Sequence, residues 1–242
     1  KISTFEKKFY LIMNVCIIPA RKGSKRIKNK NIKLFCGKPI IYYPLKLSIK
    51  SKLFDKIIVS TDSKIIENIS KKFGADLVIQ RPKNISGDKT NTATIIRHAI
   101  RYLNKISLYP KFVCCVYPTS VFAKKRDLKR SYIKLKKEKL DFIFSAQKLP
   151  YPIQRTFYKT KKKIKMFIPK YINKNSQDLV DGYYDSAQFY WAKKDFWMKK
   201  NNIFSGKSNI YKLGKFQSVD INDQEDWNYG ERLFKILNKC LT

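Results

Sequence analysis

The sequence predicts an α/β fold built on a doubly wound, mostly parallel sheet. Three observations predict it. Strand-like and helix-like segments alternate from residue 15 to residue 146. Some strand-like runs, such as Phe112–Tyr117 (FVCCVY), are apolar without alternation, as strands covered on both faces must be. Hydrophobic residues make up 43% of the 242-residue chain, enough to bury the core of one large domain, with or without an insertion. With only 8 Gly and 9 Pro, collagen-like and low-complexity classes are excluded.

Val15–Ala20 reads as a first buried strand, followed by a polar loop to Lys38. Pro39–Ser48 reads as a helix, with Pro39 in its first turn and Pro44 kinking or delaying it. Lys56–Thr61 (KIIVST) is a β-branched strand. Asp62 or Ser63 can cap the next helix, Lys64–Phe73, which stops at Gly74. Leu77–Gln80 is a strand that ends at Pro82. Asn91–Leu103 carries Ile95, Ile96, Ala99, Ile100 and Leu103 at helical spacing. Phe112–Tyr117 is the central strand, Asp127–Lys139 an amphipathic helix and Phe142–Ala146 a further strand. Ligands on such sheets bind beyond the carboxyl ends of the strands. The loops at 19–31, 60–63, 81–90 and 117–122 all leave such ends, so they are expected to converge on one cleft.

From Pro150 to Lys174 the helical period is lost and aromatics alternate with Lys. The segment 148–182 reads as an inserted β-rich arm with a hairpin tip at Thr160–Lys163. Tyr183–Ala192 and Phe216–Ile221 read as later strands, and Asp223–Asn238 as a closing helix.

Lys plus Arg number 53 against 18 Asp plus Glu, a formal net charge of +35. Such a charge suits a polyanionic partner. The lysines are spread along the whole chain rather than gathered in a tail or stripe, so most of the charge reads as solvated surface, with no nucleic-acid partner. Five cysteines, at 16, 36, 114, 115 and 240, form no CxxC pair, which argues against a disulfide framework or a zinc site. Reduced core thiols in a cytoplasm fit better. Lys7 and Lys8 followed by an apolar run resemble the start of a signal peptide, but Asn14 interrupts the run and it flows directly into the loop described next. The run is therefore read as the first strand, with Met13 as the natural start. That makes 1–12 an N-terminal extension and 13–242 one domain. No stretch has the length of a transmembrane helix, and no membrane partner is expected.

The strongest chemical signal is Ile17–Asn31 (IIPARKGSKRIKNKN). A buried strand ends in a loop that sets Arg21, Lys22, Lys25, Arg26 and Lys28 around Gly23 and Ser24, with Lys30 close behind. Glycine lets backbone N–H groups approach an anion, the Ser24 hydroxyl adds a donor, and the cations can neutralise a polyphosphate. The loop has neither the Walker A order nor GxGxxG. Read alone, it could equally be a basic surface loop of a basic protein.

This stretch resembles the phosphate-binding signature of the CMP-sugar synthetases, the acylneuraminate cytidylyltransferase family. Phe35–Ile40 (FCGKPI), Leu53–Ser63 (LFDKIIVSTDS), Phe73–Ala75, and Arg81-Pro82 followed by Ser86 and Asp88 are similar to family motifs in order and spacing. The resemblance spans about 15–238. Cys114–Phe122, Tyr151–Arg155 (YPIQR), Gln177–Leu179 and Tyr184–Trp191 (YDSAQFYW) look most like the pseudaminic acid branch.

The resemblance implies a Rossmann-like nucleotidyltransferase sheet that moves CMP from CTP to the anomeric hydroxyl of a nine-carbon α-keto acid sugar, with Mg²⁺ as cofactor. It implies Arg21, Lys30 and Asp220 as catalytic residues. The nucleotide would be bound by Ala20, Arg21, Gly23, Ser24, Lys25, Lys30, Asn31, Arg81, Ser86 and Asp88. The sugar would be bound by Tyr117, Arg155, Asp185, Gln188 and Tyr190, and the metal by Asp220 and Asn222. The arm is implied to be a dimerisation arm, making the protein a homodimer.

Four positions depart from the family pattern. Lys22 stands for a loop glycine, Tyr184 for a histidine, Ala187 for a glycine, and Asn222 for the second acid of a D-I-D motif. The segment Asp220–Asp226 also reads as a helix start, with Asn222 or Asp223 as the cap, and Asp223 could compensate at the metal. His98, the single histidine, reads as a packed helix residue, and Trp191, Trp197 and Trp227 as core. Two alternatives stand beside the main reading: a synthetase for a sialic, legionaminic or related acid, and a nucleotide-binding homologue that has lost catalysis.

Overall fold

Val15, Cys16, Ile17 and Ile18 alternate between the two faces of one strand, and all four are fully buried. Cys16 and Ile18 pack with Val59, Cys114 and Trp191 on one face, whereas Val15 and Ile17 pack with Ile58, Cys115 and Tyr190 on the other. A strand buried on both faces belongs in the middle of a layered sheet. The computed structural model describes residues 13–199 and 202–239. The extension read at 1–12, and Cys240, lie outside them.

The main sheet is formed by β1 (Met13–Pro19), β4 (Lys56–Thr61), β5 (Leu77–Gln80), β6 (Pro110–Val116), β7 (Phe142–Lys148), β10 (Tyr183–Lys193) and β11 (Ser208–Lys212). Its order is β11-β7-β10-β6-β1-β4-β5. β1 pairs parallel with both β4 and β6, and β4 with β5. β10 runs antiparallel between β6 and β7. A separate small ladder joins β2 (Leu34–Phe35) to β3 (Lys38–Pro39).

Helices α1 (Tyr42–Ser51), α2 (Lys64–Lys72) and α4 (Lys125–Lys137) cover the face that holds Trp191, while α3 (Thr92–Lys105) and α5 (Lys194–Met198) cover the other. Ser63 caps α2 by accepting from the Ile66 N–H, and the chain leaves that helix at Gly74, whose φ is +96°. Asn91 caps α3 through the Thr94 N–H. The closing helix α6 (Gln224–Lys239) seats Trp227 edge-on against Phe35, ring centroids 5.4 Å apart, in a third cluster with Ile27, Phe122 and Ile221.

Helix α1 starts three residues later than the sequence pattern suggests. Lys38 and Pro39 are taken into the small ladder, and Pro44 falls in the first turn, where its missing N–H leaves no helix bond unmade. The strand expected at Phe216–Ile221 is not formed. The edge of the sheet is instead Ser208–Lys212, which pairs parallel with β7. Beyond it the chain turns through Gly214 and Gln217, and Phe216 points outward. Val219 and Ile221 are apolar because they plug the third cluster, not because they sit in a ladder.

In the arm, β8 (Phe157–Lys159) and β9 (Ile164–Met166) form a short antiparallel hairpin closed at Thr160 and Lys163. The rest of the arm carries three single-turn 3₁₀ helices, Ile153–Arg155, Pro169–Tyr171 and Ser176–Asp178, so it is less β-rich than its sequence suggests.

Trp191 ties the layers together. It is fully buried and stacks on Phe54 at 5.1 Å and against Tyr132 at 4.8 Å. Trp191→Ala should lower unfolding stability by about 3–5 kcal/mol in denaturant titration. A cost under about 1 kcal/mol would show that this packing is not central.

Candidate functional site

The carboxyl end of β1 fixes the basic loop at several points. The Ala20 N–H continues the ladder by donating to the Ser60 carbonyl at 2.9 Å. The Lys22 N–H donates to Asp62 Oδ1 at 2.8 Å, and Asn31 Nδ2 donates to the Arg21 carbonyl at 2.8 Å. Asn29 takes a left-handed conformation (φ 55°), turning the chain into the short helical turn Lys30–Ile32. Ile27, buried, pins the middle of the loop. The 60–63 loop thus supports the basic loop through Asp62 instead of lining the cleft.

Above this end of the sheet lies a cleft of about 240 Å³. Its walls come from the basic loop, from the 81–92 segment, from Tyr117–Thr119 and from Asn222. Among its lining residues five are cationic (Arg21, Lys25, Arg26, Lys30 and Arg81) and one, Asp88, is acidic. Asp88 bridges Arg21 and Lys25, the latter at 2.8 Å. These hydrogen bonds, that of Lys25 first, hold its carboxyl below the usual carboxylate range.

Arg81 is buried and donates to the Ser60 carbonyl at 2.6 Å. Burial pulls its guanidinium down to about 10, so it stays charged at neutral pH. Lys30 donates to the Ile221 carbonyl at 2.8 Å, and burial, followed by the charge of Arg26, lowers its pKa. The cleft is therefore a seat for a polyanion. At Gly23 an added Cβ would meet nothing within 4 Å, so this part of the loop stays open to a ligand.

Beside the cleft, the Tyr117 hydroxyl hydrogen-bonds Thr92 Oγ1, and its ring meets Tyr190 edge-on at 5.5 Å. The Tyr190 hydroxyl donates to Asp185 Oδ2 at 2.7 Å, and the Ala187 N–H donates to Asp185 Oδ1 at 2.9 Å. The register of β10 slips between Asp185 and Tyr190, and Ala187 sits there at φ +49°. An alanine in the left-handed region is strained, and the slip re-aims Asp185. Burial raises the carboxyl pKa of Asp185.

Of the residues named from sequence, Arg21, Ser24, Lys25, Lys30, Asn31, Arg81, Asp88, Tyr117 and Asn222 line the cleft. The others named do not. Ala20 is buried beneath the loop. Ser86 spends its hydroxyl on the Pro82 carbonyl within its own turn. Gln188 is buried, with its Oε1 lacking a partner in the described chain. Arg155 lies on the arm, donating to Ser176 Oγ at 3.1 Å in a different hollow. Asp220 is exposed and accepts from Asn222 Nδ2 at 2.6 Å.

Asp223 is committed elsewhere. Its Oδ1 accepts from the Glu225 and Asp226 N–H groups and caps α6, so it does not compensate at a metal. Lys22 is exposed and outside the cleft lining, so it adds no bulk there. The Tyr184 hydroxyl donates to Gln147 Oε1 at 2.5 Å. His98 packs half-buried in α3, where burial and then Arg81 lower its pKa.

Sequence reading passed over Arg26, Thr90 and Thr92 as site residues, although all three line the cleft. The signal for Arg26 was its place in the basic loop. That for Thr90 and Thr92 was a polar run at the start of a helix that follows a strand-end loop. Among the described residues no group of three or more His, Cys, Asp or Glu could hold a metal.

Asp88→Asn removes the one carboxylate of the lining. Inorganic triphosphate should then bind about 2–5-fold tighter in calorimetry at low salt, the scale of an exposed ion pair. Because the Asp88 pKa is depressed, the bridge is complete at neutral pH and is lost only as pH falls through that lowered value. The wild-type-to-variant ratio should therefore stay flat from about pH 6 to 8. Weaker binding by the variant would mean that Asp88 organises the loop more than it competes for it.

A family model described as "Cytidylyltransferase" matches residues 15–232. The chain is 36% identical over 224 residues to the pseudaminic acid cytidylyltransferase of Campylobacter jejuni subsp. jejuni serotype O:23/36 (strain 81-176), covering 92% of this chain and 97% of that relative. It is 29% identical over 220 residues to the N-acylneuraminate cytidylyltransferase of Escherichia coli O18:K1:H7 (strain RS218 / NMEC), covering 88% of this chain and 50% of that one. Among solved structures, a CMP:2-keto-3-deoxy-manno-octonic acid synthetase complexed with CTP matches with a TM-score of 0.70 at 11% identity, covering 93% and 99% of the two chains. At that identity the likeness shows the fold. With the family match running from β1 into α6, and the cleft's cations on the matched strand-to-loop segment, this chain belongs to the cytidylyltransferase family.

Proposed function

We propose that the protein transfers CMP from CTP to the anomeric hydroxyl of pseudaminic acid and releases pyrophosphate. One observation carries this reading: five cations against one carboxylate at the carboxyl end of β1, in a chain 36% identical over 92% of its length to a pseudaminic acid cytidylyltransferase. The sugar oxygen attacks the α-phosphorus in line, a new P–O bond forms, and the bond to the bridging oxygen of pyrophosphate breaks. Charge grows on the leaving group, so catalysis is mainly positioning and neutralisation.

Arg21, Ser24, Lys25 and the Gly23 backbone would cradle the triphosphate. Lys30 and Arg26 would face the leaving phosphates, and Asn31 the nucleotide. Arg81 and Asp88 would border the cytidine. Tyr117, Asp185 and Tyr190, hydrogen-bonded as described, would orient the sugar.

Asp220, an exposed carboxylate, fits Mg²⁺ when substrate phosphates and water complete the shell, whereas the Asn222 amide turns its nitrogen to Asp220 and its oxygen to Arg26 and so would not ligate the ion as the resemblance implies. When bound, the ion neutralises phosphate oxygens and acidifies the attacking hydroxyl.

A homodimer built through the arm is part of the same reading. Tyr151, Ile164 and Val180 there are 77%, 67% and 78% exposed, more apolar surface than a short hairpin keeps solvated without a partner. Among the described residues no helix is long and apolar enough to cross a membrane. Buried thiols at Cys16, Cys114 and Cys115 support a reducing cytoplasm as the place of the reaction.

The test is pyrophosphate release from CTP and Mg²⁺ with pseudaminic acid and N-acetylneuraminic acid offered in parallel. Release with pseudaminic acid alone is expected, and Arg21→Ala should lower kcat/KM by about 100-fold or more. Release only with N-acetylneuraminic acid would overturn the sugar assignment, and silence with both would overturn transfer to pseudaminic acid in favour of another nonulosonic acid or a homologue without catalysis. In sedimentation the protein should run as a dimer, and Phe157→Asp with Ile164→Asp should give a folded monomer.

A further inference from the structure

We propose that Asn222 is a positioning residue that couples Asp220 to the phosphate-binding loop through Arg26, and that a neutral amide is needed there to keep the charge of Arg26 available. The inference rests on the nucleotidyl-transfer reading. Arg26 Nη2 donates to Asn222 Oδ1 at 2.7 Å, and Asn222 Nδ2 donates to Asp220 Oδ2 at 2.6 Å. The residue itself is held, because its backbone N–H donates to Asp226 Oδ2 at 2.8 Å at the start of α6. Next to it, Lys30 ties the same loop to the Ile221 carbonyl at 2.8 Å. Two cations of one loop are thus fastened to one segment 191–196 residues further along the chain.

The chemistry of the two neighbours fixes the amide. A guanidinium only donates and an ionised carboxylate only accepts. Between them must stand a group that accepts on one side and donates on the other, and Asn does so in a single orientation. An aspartate at 222 would accept from Arg26 but could not donate to Asp220, leaving two carboxylates face to face. An alanine would release both partners.

The charge consequence is equally direct. Asp88 already counters Arg21 and Lys25. Arg26 is held by a neutral oxygen, so its full charge remains for a ligand in the cleft that Arg26 and Asn222 both line. The same amide orients the Asp220 carboxylate without a cation between the two side chains.

Two variants test this, with circular dichroism confirming the fold of each. Asn222→Asp should weaken CTP binding measured in EDTA by about tenfold, because Arg26 becomes ion-paired. It should also tighten Mn²⁺ binding to the nucleotide-free protein by about tenfold, read from water-proton relaxation, because two carboxylates then share one ion. Asn222→Ala should weaken CTP binding similarly with no gain in Mn²⁺ affinity. A residue that served only the fold would not shift the two affinities in opposite directions. If wild type binds CTP and neither variant shifts either affinity, the inference is overturned. If wild type binds inorganic triphosphate but no CTP, and Asn222→Asp weakens the triphosphate binding, the coupling stands and the proposed function falls.

Discussion

Crowding like charges at one end of a strand is unfavourable, and much of this structure serves to hold that arrangement in place. Five cations share the walls of a cleft of about 240 Å³. Their mutual repulsion is visible at Lys30, whose pKa is lowered by burial and by the charge of Arg26. The compensation is local and mostly neutral. Carbonyls of Ser60 and Ile221 receive Arg81 and Lys30, and the Asn222 amide receives Arg26. Among the described residues Asp88 is the carboxylate that forms ion pairs with them. Carbonyl and amide partners fix direction without cancelling charge, which leaves the site attractive to a polyphosphate.

Holding such an arrangement requires a stiff foundation. β1 is buried on both faces and hydrogen-bonded on both edges, so its carboxyl end has little freedom. The loop that follows is then tied at Lys22, Ile27 and Asn31 within a dozen residues. Close packing makes this end of the sheet a rigid reference from which distances of a few ångströms can be set. The neighbouring end of β10 is set less regularly. The register slip in β10 and the left-handed Ala187 turn Asp185 toward Tyr190, a local strain kept by the ladders on either side.

Much of this was written locally in the chain. The basic loop, the strands Lys56–Thr61 and Leu77–Gln80, and the cap at Ser63 or the turn at Gly74 depend on neighbouring residues, and they stand where their patterns place them. The late apolar run at 216–221 misled because period-2 patterning looks the same in a strand and in an irregular segment that plugs a cluster. The edge strand Ser208–Lys212 was missed for the converse reason: only its partner β7 makes it a strand. Arg155 carries a suitable charge, but no local pattern says which hollow it will enter.

The sequence by itself determined the layered α/β class, the basic loop at the first strand's end and most of the cleft's cations, because these follow from residue types and short spacings. Only the tertiary structure decided which groups meet across long separations. It brought Asn222 to Arg26, Asp88 to Arg21 and Lys25, and Thr92 to Tyr117, and it assigned Asp223 to a helix cap. The physical reason is range. Propensity and periodicity act over a few residues, whereas a hydrogen bond between residues 26 and 222 exists only after the sheet has brought two distant loops to one end.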